Sequence, residues 1–217
     1  MNKANKSSIL RCLRHPLFIT LVAGALTCLW GQRVAYQYQI RQLRYQQEFE
    51  IFKENLSGSM ALLDEISLAA SERLMGMERL LWAINDGASK GKIKEIWDEY
   101  YKSVLNWNVQ QLVFKTKMIQ YINDKALIQH LMDDEDSRLV LYKNAEPKSL
   151  HGYFLRGHHG IAQLYECVNH NCPDKESLIE STKQEINGLG LAIESFHNEY
   201  VKSVYQLGRS INEFTTP

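Results

Sequence analysis

The sequence predicts an all-α protein: a single N-terminal transmembrane helix acting as a signal anchor, followed by an antiparallel, four-helix-bundle-like domain of long helices. Three observations carry this reading. Apolar residues recur at steps of three and four over two long stretches. The chain holds only 12 Gly and 4 Pro in 217 residues, too few turn formers for an all-β domain of this size. And the run from Pro16 to Trp30 carries no charge. The expected organisation is a basic head over 1–15, an anchor over 16–32 and a helical bundle over 33–217. Helices are expected at about 33–84, 93–122, 148–168 and 174–213.

The head contains Lys3, Lys6, Arg11 and Arg14 and no acid. Such cations attract anionic lipid headgroups, at roughly 1 kcal/mol each near the surface. Membrane lipid, met through residues 16–32, is therefore an expected partner. Three readings compete for this segment. A cleaved signal peptide would use Ala23-Gly24-Ala25, but cutting there leaves little apolar sequence upstream. A lipoprotein signal fails, because Leu26-Thr27 precedes Cys28 where a small residue is needed. An uncleaved anchor is preferred over cleavage and over a buried or interfacial helix. Its fifteen residues rise about 22 Å against a hydrocarbon core of about 30 Å, so snorkelling by Arg14 and Arg33 has to close part of the gap. Trp30, Tyr36 and Tyr38 fit an interfacial belt. Four basic residues before the segment face Arg33, Arg41 and Arg44 after it, a thin bias towards a cytoplasmic N-terminus and an extracytoplasmic body, periplasmic in a bacterium.

The first long seam steps Phe49, Phe52, Leu56, Met60, Leu63, Ile66, Ala70, Leu74, Met77, Leu81, Ile84. The steps average about 3.5, the repeat of a bundle or coiled-coil seam. Asn85-Asp86-Gly87 ends it. The second helix shows Ile93, Ile96/Trp97, Tyr100, Val104, Trp107, Leu112, Ile119 and Ile122, and Asn123-Asp124 closes it. Two short apolar pieces, 126–132 and 138–143, flank the acidic turn Asp133-Asp134-Glu135-Asp136, and Pro147 breaks the chain. A third helix over 148–168 is loosened by Gly152, Gly157 and Gly160. Pro173, Asp174, Lys175 and Glu176 open the fourth, with proline in the first turn and acids at the positive end of the dipole. Its seam runs Leu178, Thr182, Ile186, Leu189, Ile193, Phe196, Tyr200, Val204, Leu207, Ile211. Nothing after it is a second apolar span, so at most one crossing is expected.

With 45% hydrophobic and 23% charged residues the chain is globular in composition. Four basic residues and no acid in the first 32 positions leave the body with 21 basic against 25 acidic side chains, a formal charge of −4. That balance lacks the basic footprint of a nucleic-acid binder.

Cys167 and Cys172 lie five apart at a helix break, a spacing suited to a loop-closing disulfide in an oxidising compartment. His158, His159 and His170 near them are the weak candidates for metal ligation, but their spacing matches no defined zinc site. Cys167-Val168-Asn169-His170 does not make a haem attachment motif. Glu194 and His197 have the Glu-x-x-His spacing of di-iron bundles, without the second motif such sites need, and fall at the edge of the core face. The acidic turn lacks the alternation and glycine of a calcium loop and reads as solvated. Asn55-Leu56-Ser57 is a formal glycosylation sequon inside an expected helix. No nucleophile elbow, zinc-protease motif or phosphate-binding glycine loop occurs.

The architecture resembles the extracytoplasmic helical bundles of bacterial chemoreceptors and sensor kinases, although this chain shows neither a second span nor an output domain. The expected function is non-enzymatic. A membrane-anchored helical protein would scaffold, tether or regulate a membrane or envelope complex, its partner being another membrane or envelope protein or a second copy of itself. Trp97 and Trp107 are the candidate contact residues, and no cofactor is expected. The alternative is a sensor-like bundle that binds a small ligand, haem or metal.

Overall fold

The computed structural model describes residues 16–143, 145–170 and 172–215. The basic head and Cys12 lie outside them. Among the described residues six helices appear in order: α1 (Pro16–Asn85), α2 (Lys90–Tyr121), α3 (Lys125–Leu131), α4 (Asp134–Lys143), α5 (Leu150–His170) and α6 (Lys175–Thr215). No strand occurs among the described residues. The all-α reading holds; α2, α5 and α6 lie within a few residues of the expected limits, while α1 ends as expected but runs unbroken from Pro16 rather than from about 33.

Contacts divide the chain into two compact units, Met1–Glu54 and Asn55–Pro217. In the first, the described residues are all helical and nearly all exposed, Trp30 and Leu21 among them. Thr20 and Thr27 fold their hydroxyls back onto the carbonyls of Pro16 and Ala23, both at 2.8 Å. The expected span over 16–32 is not supported, since no described helix is long and apolar enough to cross a membrane. The uncharged run stops at Trp30, and Gly31, Gln32 and Arg33 follow. Its rise of about 22 Å falls short of a hydrocarbon core.

The second unit is an up-down-up-down bundle, with its directions fixed by cross-helix contacts. Lys117 bridges Glu65 at 2.6 Å and Arg79 meets Glu99 at 3.1 Å, so α2 runs antiparallel to α1. Trp97 stacks on Tyr165 and Trp107 packs at a tilt on Phe154, so α5 runs antiparallel to α2. The Tyr200 hydroxyl donates to the Ser59 carbonyl at 2.8 Å, while Lys175 Nζ reaches the Ile84 carbonyl at 3.1 Å, so α6 returns along α1. The short helices α3 and α4 carry the chain across one end, where His130 on α3 meets Glu199 on α6 at 2.7 Å.

Local chemistry sets the helix limits. α1 ends in a Schellman arrangement: Gly87 has φ +69°, Ala88 N–H donates to the Ala83 carbonyl and Gly87 N–H to that of Ile84. Ser89 caps α2 through Lys92 N–H, and Asn123, at φ +52°, follows its last turn. Asp124 caps α3, accepting from Ala126 and Leu127 N–H. The Ser203 hydroxyl at 2.8 Å, with those N–H groups, holds its carboxyl below the usual range.

Two expected seams drift from their sequence phase. Phe49, Leu56 and Met60 are exposed, and continuous burial on α1 begins at Leu62. On α2, Leu112 and Ile119 face outward while Phe114 and Met118 enter the core. A helix with 3.6 residues per turn cannot keep a strict 3.5 repeat on one straight face. The α6 seam holds as far as Val204, with Thr182, Ile186, Leu189, Phe196, Tyr200 and Val204 buried; the side chains of Leu207 and Ile211 lie outside the description. The glycines expected to loosen α5 instead sit where neighbours crowd it. A Cβ on Gly160 would lie 2.8 Å from Glu185 Oε2 and 2.9 Å from Thr182 Oγ1. Glycine at that position trades about 1 kcal/mol of helix propensity for close approach of α6.

Candidate functional site

At mid-height the bundle encloses a polar cluster contributed by α1, α2 and α5. Arg73, 1% exposed, projects from the buried face of α1. Its guanidinium lies over the Phe154 ring, 4.5 Å from the centroid, and Nη2 donates to the Phe154 carbonyl at 3.4 Å. Nε and Nη1 have no hydrogen-bond partner. Burial pushes the Arg73 pKa down, partly offset by the neighbouring Tyr100 phenol. An Arg stays charged throughout the ordinary pH range, so this is a buried cation.

Tyr100 on α2 shares a 2.7 Å hydrogen bond with His158 Nδ1 on α5. Burial raises the Tyr100 pKa, against the pull of Arg73. Burial, then the charge of Arg73, depresses His158 to about 4, so its imidazole is neutral at pH 7. A phenol O–H donated to that neutral ring leaves the Tyr100 oxygen lone pairs facing the guanidinium. Trp97 covers the cluster, stacked on Tyr165 at 4.5 Å and on His158 at 6.0 Å. One layer below, Trp107 Nε1 donates to His151 Nδ1 at 3.3 Å. The arrangement fixes the rotation of three helices against one another. Its one short side-chain pair is the Tyr100 phenol with the His158 imidazole.

The metal candidates do not converge. His158 belongs to this cluster. His159 is exposed and accepts from Gln163 Nε2 at 3.0 Å, and His170 lies 3.4 Å from Glu166 near the end of α5. Among the described residues no three His, Cys, Asp or Glu side chains come together as a metal site would require. Glu194 and His197 are exposed, His197 lying 3.5 Å from Ser67 Oγ. Cys167 and Cys172 stand at disulfide-bonding distance, Cα atoms 4.9 Å apart, and Cys28 is a free, exposed thiol.

Two expectations are corrected. Trp107 is 1% exposed and packs on Phe154 and Phe114, so it has no surface to offer a partner. Trp97 is partly buried in its stack on Tyr165 and keeps some exposed surface, so that candidate is not overturned. The acidic turn is also not simply solvated. Asp136, 5% exposed, accepts from Lys148 N–H, from Ser149 N–H at 2.8 Å and from the Ser149 hydroxyl at 2.7 Å. It thereby ties α4 to the start of α5. The Asp133 carboxylate accepts from Glu135 and Asp136 N–H in the first turn of α4.

One apolar surface that stands open among the described residues is the outer face of α2. Tyr101, Leu105, Val109, Leu112 and Ile119 follow one another at steps of three, four and seven and are 44% to 72% exposed. A groove of about 450 Å³ runs beside it between α1 and α2, lined by Glu72, Met75, Arg79, Glu99 and Lys102 among others. Sequence periodicity counted Leu112 and Ile119 towards the inner seam and missed Arg73 altogether. A charged residue at a seam position, three after Ala70 and four before Met77, was the signal available for it. No protein-family model, curated protein or solved structure matches this chain.

Proposed function

We propose that this chain is a non-enzymatic helical protein attached to a membrane by residues 16–32, and that it scaffolds, tethers or regulates a membrane or envelope complex through protein contacts. The observation that supports this most is the outer face of α2. A second row of large apolar residues, at heptad-like steps, lies opposite the row that builds the core. Monomeric proteins rarely leave such a row uncovered. The Cys167–Cys172 pair favours an oxidising compartment for the body. The apolar run is too short to fill a hydrocarbon core, and its uncharged turns suit insertion into lipid from the interface, with the basic head against anionic headgroups.

The test has two readouts. Deleting residues 16–30 should release the chain from sedimented membranes, and an unchanged distribution defeats the attachment. A photo-crosslinking residue at Val109 should give a discrete polypeptide adduct in native membranes that Leu112→Glu abolishes. No adduct from Val109 defeats the contact reading. The unpartnered Nε and Nη1 of Arg73 favour a second reading, a small anion held inside the bundle. Titration with chloride and short carboxylates, followed by thermal unfolding, should then raise the midpoint in wild type but not in Arg73→Met.

A further inference from the structure

We infer that α1 pairs with α1 of a second copy of this chain, parallel and in register, along the row Ala35, Tyr38, Gln42, Tyr45, Phe49 and Phe52. The inference goes beyond the α2 contact and does not rest on it. Spacing, charge and area carry it.

The row steps by three and four without a break, which is the a/d alternation of a two-stranded coiled coil. Residues 33–54 include Arg33, Arg41, Arg44, Glu48, Glu50, Lys53 and Glu54, and none of them falls on the row. Counted onwards, the same alternation runs from Ser59 through Leu63 and Ile66 to Ile84, where every position is at most 1% exposed. It is the alternation by which α1 makes its contacts. Within the first unit, however, Tyr38 is 65% exposed, Tyr45 50% and Phe49 48%, with the Tyr45 and Phe49 rings stacked along the row. Counted backwards, the alternation passes Gly31, Cys28 and Gly24, and a Cβ on either glycine would meet nothing within 4 Å. No neighbour within the chain requires glycine there, whereas the close approach of a second helix does.

Charge sets direction. In a parallel pair the positions flanking the seam meet across the two copies at i and i+5. Glu48 of each copy then faces Lys53 of the other, Arg41 faces Gln46, and no like charges meet. Arg33, Arg44, Glu50 and Glu54 take outer positions of the heptad. Glu48 and Lys53 are exposed and enter no ion pair among the described residues. Parallel packing in register also sets the Gln42 amide against the same amide of the second copy. Antiparallel packing brings a positions to d positions and leaves that amide against an aromatic ring.

The area is sufficient. Residues 21–52 rise about 48 Å, and a strip of that length and helix width is about 550 Å² in projection on each copy. Interdigitated side chains expose more surface than their projection. The pair therefore buries more than about 1,100 Å², the size of a specific interface. A twofold contact is isologous, so one self-complementary row suffices.

Two measurements on the full-length chain in detergent test this. In a Cys12→Ser/Cys28→Ser background, a single cysteine is placed on the row, Tyr45→Cys, or on the outer side of the helix, Gln47→Cys. Copper–phenanthroline oxidation should link Tyr45→Cys into a species of twice the mass about tenfold faster than Gln47→Cys, since a disulfide needs Cα atoms within about 7 Å. Cys28, a free exposed thiol on the extended row, should link likewise in Cys12→Ser. Sedimentation at matched density should show a reversible monomer–dimer equilibrium. Tyr45→Glu/Phe49→Glu should weaken it on the order of 100-fold and Glu48→Lys about tenfold. Glu48→Lys/Lys53→Glu should restore it, and Leu105→Glu on the outer face of α2 should leave it intact. A monomer at all concentrations overturns the inference, as does equal crosslinking from Tyr45→Cys and Gln47→Cys. A dimer lost in Leu105→Glu but kept in Tyr45→Glu/Phe49→Glu overturns it too and moves the second copy to α2. Failure of the paired charge reversal overturns the parallel register.

Discussion

Asp136 and Arg73 are both charged and both buried, yet the bundle satisfies one and leaves the other short. The Asp136 carboxylate sits where α5 begins, and the first N–H groups of a helix have no partner within it. Two backbone N–H groups and the Ser149 hydroxyl converge on it. Arg73 sits at the waist of the bundle, between mid-helix segments whose carbonyls already accept from their own helices. It finds one carbonyl, one ring face and the flank of a phenol. Where a charge is buried along a helix thus decides how well it can be compensated. Helix ends offer donors and acceptors, whereas helix middles offer mainly side chains.

The largest expected effect follows from the satisfied site. Asp136→Ala removes one carboxylate and strands three donors around Ser149, which is itself fully buried. The cost should be about 3 kcal/mol, or roughly 6–10 °C in the unfolding midpoint. Asp136→Asn keeps the shape and an acceptor oxygen but brings N–H groups into a ring of donors, and should lose about 2 kcal/mol. Urea unfolding followed by circular dichroism measures both. If Asp136→Ala changes stability by less than about 1 kcal/mol, the junction of α4 and α5 does not depend on it and the contrast with Arg73 collapses.

Arg73 should behave in the opposite sense. Replacing an incompletely compensated buried charge by an apolar residue of similar length removes a desolvation penalty of several kcal/mol and keeps the packing. Arg73→Met should therefore be neutral or stabilising by about 1–2 kcal/mol. Arg73→Ala should destabilise by about 3 kcal/mol, because it leaves a cavity against Phe154. A loss above about 2 kcal/mol in Arg73→Met would mean that the guanidinium is fully compensated in the folded protein. The bound anion of the second functional reading is the group that would do so.

These two sites also mark the limits of the sequence. The four long helices were legible because Gly87, Asn123, Pro147 and Pro173 punctuate an otherwise unbroken three-and-four periodicity. The disulfide distance of Cys167 and Cys172 was legible from their separation of five at a helix break. The depth of Arg73 was not, because periodicity weighs a charged side chain as outward whatever its phase. Nor was the burial of Trp107 distinguished from surface exposure, although it lies in phase with Tyr100 and Val104 on the inner face. A run of four acids looks solvated in sequence. Only the return of the chain at Lys148 and Ser149 reveals that Asp136 is an internal cap.

A graded effect with pH should sharpen the account of the waist. His158 is depressed from 6.5 to about 4 in the folded protein, by burial first and by Arg73 second. The unfolded chain therefore binds a proton that the folded chain refuses between these values. Stability is fully present above about pH 6.5 and falls as the pH drops towards 4. His158→Gln removes the titrating group, so its stability curve should be flatter across this window. Arg73→Met removes the second cause of the shift, so the folded pKa should rise, and the fall in stability should begin at the same pH but end sooner and be smaller. Urea midpoints collected from pH 4 to 7 test this, and identical slopes in wild type and His158→Gln would assign the acid sensitivity to other groups.

The smallest effect belongs to a charge that is paired but not buried. Arg79 meets Glu99 at 3.1 Å across the groove between α1 and α2, with each side chain about half exposed. Water screens the attraction, and holding two long side chains in one geometry costs entropy. Arg79→Gln should change stability by about 0.5 kcal/mol or less, and added salt should erase the difference. The pair thus separates two explanations for Asp136 and Arg73. If contact with an opposite charge governed stability, Arg79 would outrank Arg73, which has no carboxylate beside it. If desolvation governs, Arg79→Gln stays near zero while Asp136→Ala and Arg73→Met lie on either side of it. A loss above about 1.5 kcal/mol in Arg79→Gln, insensitive to salt, would show that this groove is drier in the assembled protein than in the single chain. That result would point back to the neighbouring outer face of α2 as a covered surface.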